Sequence, residues 1–165
     1  NLRQIVQQNL SKQGISCKCI RCREAGLSNK KTQVQNPTLK RIDYESSGGT
    51  EVFLSYEDSN DSIYGFLRLR KPSIRAHRIE VGNDSCIVRE LHVYGKSLKL
   101  GEKGENEIQH SGLGKNLMKE AEKISKEEFD AKKLVVISAV GTREYYQKLG
   151  YSLYGPYMTK PLNRE

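Results

Sequence analysis

The sequence predicts a mixed α/β domain: a mainly antiparallel central sheet flanked by helices, preceded by a small cysteine-rich segment. Three observations predict it. Strand-like stretches follow one another with turn residues between them. A long amphipathic helix then leads into a continuous apolar run, the pattern of a strand buried on both faces. Finally, Cys17, Cys19 and Cys22 crowd into the stretch CKCIRC. At 165 residues the chain has the length of one domain with a small appendage. The expected division is a helix plus metal-binding linker over 1–48 and the sheet domain over 49–165.

In chain order, LRQIVQQNLSKQ (2–13) spaces Leu2, Ile5, Val6 and Leu10 at helical intervals, and Gly14 can end the helix. The cysteine loop follows, then a polar connector over 25–38 that ends near Pro37. EVFLSYE (51–57) and IYGFLRLRK (63–71) read as a hairpin turned by DSND. CIVRELHVYG (86–95) alternates Ile87, Arg89, Leu91 and Val93 against Val88, Glu90, His92 and Tyr94, which predicts a third strand. A charged loop over 96–108 precedes the helix whose apolar stripe is Leu113, Leu117, Met118, Ala121, Ile124 and, further on, Ala131. KLVVISA (133–139) is the buried strand, GTREYYQKLG (141–150) a short helix closed by Gly150, and YSLYGPYMT (151–159) a last strand broken by Gly155 and Pro156.

The net charge is +8, and much of it lies early. Arg3, Lys12, Lys18, Arg21, Arg23, Lys30, Lys31, Lys40 and Arg41 face only Glu24 before Asp43 is reached, and Arg68, Arg70, Lys71, Arg75 and Arg78 form a second group. That asymmetry suggests a polyanionic partner, nucleic acid first, against the alternative of a solvated face. No apolar run approaches the roughly 20 residues that cross a bilayer, and no signal peptide is visible, so no membrane partner and a cytoplasmic location are expected. Asn1 stands where an initiator Met would, so a piece of a longer protein is expected. Three thiols in six residues pair poorly as disulfides and converge well on one metal, with zinc favoured by soft thiolate donors. The fourth ligand must come from elsewhere, from Cys86 or a histidine.

QHSGLG (109–114) places two glycines at the mouth of the long helix. Glycine lets a backbone approach a ligand closely, and the unpaired amides of a first helical turn favour phosphate. Neither a Walker loop nor a complete G-x-G-x-x-G is present. The wider pattern is more specific. Q-x-x-G-x-G opening an amphipathic helix, with antiparallel strands before it and a buried strand and REYYQKLGY after it, resembles the GCN5-related N-acetyltransferase (GNAT) fold over residues 51–157. CKCIRCREAG, VRELHVYG, QHSGLGKNLMKEAEKISKEEF and REYYQKLGYSLYGPYM together resemble the acetyltransferase-like part of the Elongator protein 3 family across nearly the whole chain.

The resemblance implies an acetyl-CoA-dependent enzyme that installs a carboxymethyl-type group on carbon 5 of the wobble uridine of tRNA, with tRNA-stimulated acetyl-CoA hydrolysis. It implies that Gln109, His110, Ser111, Gly112, Leu113, Gly114 and Lys115 lie along the acetyl-CoA pyrophosphate, and that Tyr145 and Tyr146 approach the thioester. Cys17, Cys19 and Cys22 match the family's zinc loop, with Cys86 as the natural fourth ligand. The family's radical S-adenosylmethionine domain, with its 4Fe–4S cluster, has its C-x-x-x-C-x-x-C motif outside this chain, which makes that domain an expected partner beside tRNA and an Elongator-type or homo-oligomeric assembly.

Tyr145 and Tyr146 point to different sides of a helix, so one of them can simply pack in the core. Glu90 and His92 share a strand face and are the candidates for a catalytic base. Arg70, Lys71 and Arg75 are the expected RNA contacts. The alternative function is a protein lysine N-acetyltransferase; a degenerate domain that only binds RNA fits the intact glycine loop less well. A basic surface repels a basic protein substrate and attracts tRNA, which favours the tRNA-modifying function.

Overall fold

The computed structural model describes residues 1–25, 37–94 and 112–162. The helix α1 is Leu2–Lys12. The strands β1 (Thr38–Ser46), β2 (Gly49–Glu57), β3 (Ile63–Lys71) and β4 (Ser85–Val93) follow. Then come α2 (Leu113–Glu127), β5 (Lys133–Val136), α3 (Arg143–Lys148), β6 (Ser152–Tyr154) and β7 (Tyr157–Pro161). Among the described residues the strands form one seven-stranded sheet in the order β1-β2-β3-β4-β5-β7-β6. Every pair is antiparallel except β4 with β5. The parallel pair needs a crossover, and α2 is on that crossover. The mixed α/β architecture with a mainly antiparallel sheet is therefore as expected.

The helix α2 buries Leu117, Met118, Ala121 and Ile124 against one face of the sheet, on Val52, Leu54, Leu67, Leu69, Val88, Leu134 and Val136. Removing apolar surface of this kind from water is worth about 1.5–3 kcal/mol per large side chain. Val81, Ile87 and Val135 make a smaller cluster on the opposite face. Ala131 is buried just beyond the helix, where the chain turns into β5.

Three features differ from expectation. β1 is hydrogen-bonded along β2 from Thr38↔Glu57 to Ser46↔Gly49, so the sheet begins at Thr38, inside the segment expected to precede it. Nearly all of β1 is exposed, as an edge strand's residues are, and Lys40, Arg41 and Asp43 guard that edge with charge. The final strand is a β6–β7 hairpin, because Gly155, at φ +56°, and Pro156 turn the chain back on itself. The third difference lies in β4. Arg68 pairs with Glu90 while Leu69 pairs with Val88, which leaves Arg89 as an extra residue, a β-bulge. The simple alternation therefore fails. Val88 and Leu91 share the α2 face, and Ile87 belongs to the opposite cluster.

The bulge is held from behind. Glu51, only 1% exposed, accepts from Arg89 Nη1 at 2.5 Å and from Arg70 Nη1 at 2.9 Å. A carboxylate this buried is tolerable only with such partners.

Candidate functional site

β4 and β5 pair from Ser85↔Lys133 to Val88↔Val136, and the Ile137 amide makes one more bond to the Val88 carbonyl at 3.0 Å. Beyond the bulge, residues 89–93 of β4 have no partner on β5. A cavity of about 330 Å³ opens there, lined by Leu91, Val93, Gly112, Gly114, Thr142, Tyr145 and Tyr146. Because the bulge consumes Arg89, Leu91 and Val93 turn toward this cavity.

The glycines of the helix mouth have separate reasons. Gly112 has φ +146°, a conformation side-chain-bearing residues rarely adopt, and a Cβ there would meet nothing within 4 Å. It is glycine for its backbone. From there its carbonyl accepts the Asn116 amide at 2.8 Å and starts α2. The amides of Leu113, Gly114 and Lys115 fall in the first turn, where an α-helix supplies no internal acceptors, beside the positive end of the helix dipole. Gly114 is glycine for a neighbour: a Cβ would come within 2.8 Å of Tyr145 Oη and 3.4 Å of Val93 Cγ2. The tyrosine hydroxyl thus rests against the helix mouth. Gln109, His110 and Ser111 lie outside the described residues.

Tyr145 and Tyr146 both reach the cavity, in different ways. Tyr146 is 6% exposed and belongs to the core, whereas Tyr145 is 39% exposed. Their rings meet edge to face, 5.1 Å between centroids. Burial pushes Tyr146 up to about 12 and raises Tyr145 above the ordinary phenol value, so both hold their protons at neutral pH.

Glu90 and His92 are not at this cavity. Leu91 faces α2, so its neighbours on the strand face the other way. His92 stacks on Phe66 with centroids 6.0 Å apart and lies 4.7 Å from Tyr94, and Glu90 is 3.7 Å from Arg68 Nη1. The bulge is the physical reason for this correction. Thr142, Leu91 and Val93 were not assigned to the site from sequence; only the parting of the strands identifies them.

The cysteines divide similarly. The sulfurs of Cys17, Cys19 and Cys22 all lie within 4.8 Å of one another, a donor set that suits a thiophilic metal. From α1, Arg3 Nη2 donates to Cys22 Sγ at 3.2 Å and Gln7 Nε2 at 3.6 Å. A hydrogen bond from the Cys22 backbone, with help from the Cys17 side chain, lowers the Cys19 thiol to about 7. Cys86 is not part of this group. It is fully buried in the core beside α2, where desolvation raises its thiol to about 11 and keeps it protonated. The expected fourth ligand is thereby corrected.

Two of the expected RNA contacts are engaged within the chain. Arg70 is committed to Glu51 and also donates to the Ser47 carbonyl at 3.3 Å, and Lys71 Nζ donates to the Asn83 carbonyl at 2.9 Å. Arg75 is exposed. Among the described residues no helix is long and apolar enough to cross a membrane.

Comparison with known proteins places these features in a family context. The acetyltransferase (GNAT) domain family matches residues 105–160. The chain is 48% identical over 166 residues to the tRNA uridine(34) acetyltransferase of Dehalococcoides mccartyi, covering 99% of this chain and 36% of that protein. It is 46% identical over 165 residues to Elongator complex protein 3 of Homo sapiens, covering 98% of this chain and 30% of that one. The solved structure of Methanocaldococcus infernus Elp3 with an N-terminal deletion superposes with a TM-score of 0.82 at 46% identity, covering 96% of this chain and 38% of that chain. The chain thus spans about a third of the length of the curated relatives it matches.

Proposed function

The chain belongs to the Elongator protein 3 group of GNAT-fold proteins, and on that premise we propose that it is the acetyl-CoA-binding domain of a tRNA-modifying acyltransferase. The observation that carries the proposal is the cavity where β4 leaves β5, with a helix N-terminus on one wall and a protonated tyrosine on the other. In this proposal the first-turn amides of α2 hold the pyrophosphate of acetyl-CoA, and Gln109, His110, Ser111 and Lys115 extend that cradle. Leu91 and Val93 offer an apolar wall to the pantetheine arm.

The chemistry assigned to this chain is opening of the thioester. Water attacks the acetyl carbonyl carbon and loses its proton to solvent, the C–S bond breaks, acetate is released, and the electron pair leaves on sulfur as the CoA thiolate. Tyr145 meets that thiolate. A thiol has an ordinary pKa of about 8.5, below that of this phenol, so Tyr145 stabilises the thiolate by donating a hydrogen bond rather than by giving up its proton. Tyr146 supports Tyr145 by packing. Carbon–carbon bond formation at carbon 5 of the wobble uridine, to give a carboxymethyl-type group, is assigned to the longer protein with its radical S-adenosylmethionine domain and 4Fe–4S cluster. This chain has no C-x-x-x-C-x-x-C to hold such a cluster.

Zinc fits the trio Cys17, Cys19 and Cys22, where it would fold the loop after α1 rather than act in chemistry. tRNA is the proposed polyanion, met by Arg75 and the basic N-terminal segment, in the cytoplasm and within an Elongator-type or homo-oligomeric assembly. The names of the relatives support this function over protein lysine acetylation. The test is acetyl-CoA hydrolysis by the full-length protein with and without tRNA. Stimulation by tRNA is expected. Equal rates with and without it, together with acetylation of a lysine peptide, would overturn the proposal.

A further inference from the structure

The tyrosine at the cavity sits on a helix of six residues, and its hydroxyl rests against Gly114. Ring packing helps to aim it. Tyr145 stands edge to face on Tyr146, and Tyr146 in turn on Tyr151, at 6.0 Å and 70°. Tyr151 is 3% exposed, and its hydroxyl donates to Glu122 Oε1 at 2.9 Å. Lys160 Nζ, from β7, donates to both oxygens of the same carboxylate at 3.0 and 2.9 Å and lies 5.5 Å over the Tyr151 ring. The Tyr151 amide also donates to the Tyr146 carbonyl at 3.0 Å, which ties the end of α3 to the same ring.

Glu122 is on α2, the helix whose mouth carries Gly114. The tyrosine ladder therefore meets α2 twice. One contact is direct, at Gly114; the other runs through Tyr151 at Glu122, eight residues and about 12 Å further along the helix. Two points of attachment fix an angle as well as a distance.

We propose that Tyr151, held by Glu122 and Lys160, is a positioning residue that aims the Tyr145 hydroxyl at the cavity. It acts through Tyr145 and does not touch substrate. The proposal rests on Tyr145 meeting the leaving thiolate, and the experiment separates the two. Tyr151→Phe keeps the ring and removes the bond to Glu122; Glu122→Gln keeps an acceptor and removes the charge that attracts Lys160. CoA release is followed in the full-length protein with tRNA, alongside acetyl-CoA affinity and thermal melting.

Both variants should lower kcat about five- to twentyfold with acetyl-CoA affinity changed less than about twofold, a split that simple loss of stability does not produce. Because Tyr151 acts through Tyr145, the double variant Tyr145→Phe, Tyr151→Phe should be no slower than Tyr145→Phe alone. Wild-type turnover in Tyr145→Phe would overturn the role of Tyr145 and this proposal with it. Loss in Tyr145→Phe with wild-type turnover in both Tyr151→Phe and Glu122→Gln would overturn this proposal alone. So would a double variant slowed by the product of the single effects.

Discussion

Gly114→Ala should leave the fold as stable as before while removing most of the thioester-opening activity. The added Cβ falls 2.8 Å from Tyr145 Oη and 3.4 Å from Val93 Cγ2. The first contact is too close to survive, but it is made with the tip of a side chain that is 39% exposed and can swing away. Such a rotamer adjustment costs about 0.5–1.5 kcal/mol. Alanine in place of glycine in a helix recovers up to about 1 kcal/mol. The two terms nearly cancel, so the melting temperature should move by no more than about 2–4 °C in either direction. Activity has no such compensation. A preorganised donor lost from a developing negative charge typically costs about 10²–10³ in rate. A displaced but still mobile tyrosine would recover part of that, so at least about a tenfold fall is expected. CoA release with tRNA, calorimetric affinity for acetyl-CoA and a thermal melt on the same preparation make the assay. Wild-type turnover would show that the close approach of Tyr145 to the helix mouth is not used. A loss of affinity matching the loss of turnover would show that the methyl group blocks acetyl-CoA instead of displacing the tyrosine.

Gly112→Ala should do the opposite, losing about 1–3 kcal/mol of stability because φ +146° is strained for alanine although the space there is open; a melt unchanged within error would contradict this. Metal analysis should find zinc in the wild type, full occupancy in Cys86→Ser and loss of metal in Cys22→Ser, whereas loss in Cys86→Ser would return that thiol to the ligand set. Arg75→Ala should flatten the salt dependence of tRNA binding by roughly one contact with no change in melting temperature. Arg70→Ala should instead destabilise the fold by about 2 kcal/mol, since it takes one of two cationic partners from a buried carboxylate; a stable Arg70→Ala protein with weakened tRNA binding would reverse the assignment.

What the sequence revealed, and what it hid, follows one physical line. α2 was legible because its stripe of Leu117, Met118, Ala121 and Ile124 meets a flat core, so helical period and burial coincide. β5 was legible because Leu134, Val135 and Val136 are buried on both faces and need no alternation. β1 was not, since TLKRIDYES buries almost nothing and carries no apolar period, being held by its ladder to β2. The commitments of Arg70, Lys71 and Cys86 were hidden for the same reason: a basic or thiol side chain looks alike in sequence whether it faces solvent or a buried partner.

The site itself turns on one residue that no local pattern marks. Arg89 carries the same charge as its surface neighbours, and only the register of β3 against β4 shows it to be supernumerary. Its ion pair with Glu51, two strands away, stabilises the bulge, and the bulge has two consequences at once. It ends the pairing with β5, which opens the cavity. It also reverses the faces beyond it, sending Leu91 and Val93 inward and Glu90 and His92 to the far side. Strict alternation had grouped Ile87 with Leu91 and Val88 with Glu90, so periodicity assigned the catalytic candidates to a face that changes halfway along the strand. Had β4 run straight to Val93, it could have gone on pairing with the chain beyond Val136, and the tyrosines of α3 would have met a closed sheet instead of an opening. The glycine motif could indicate that an anion binds at the helix mouth. What stands opposite that mouth was set by a non-local ion pair, which no reading of neighbouring residues can supply.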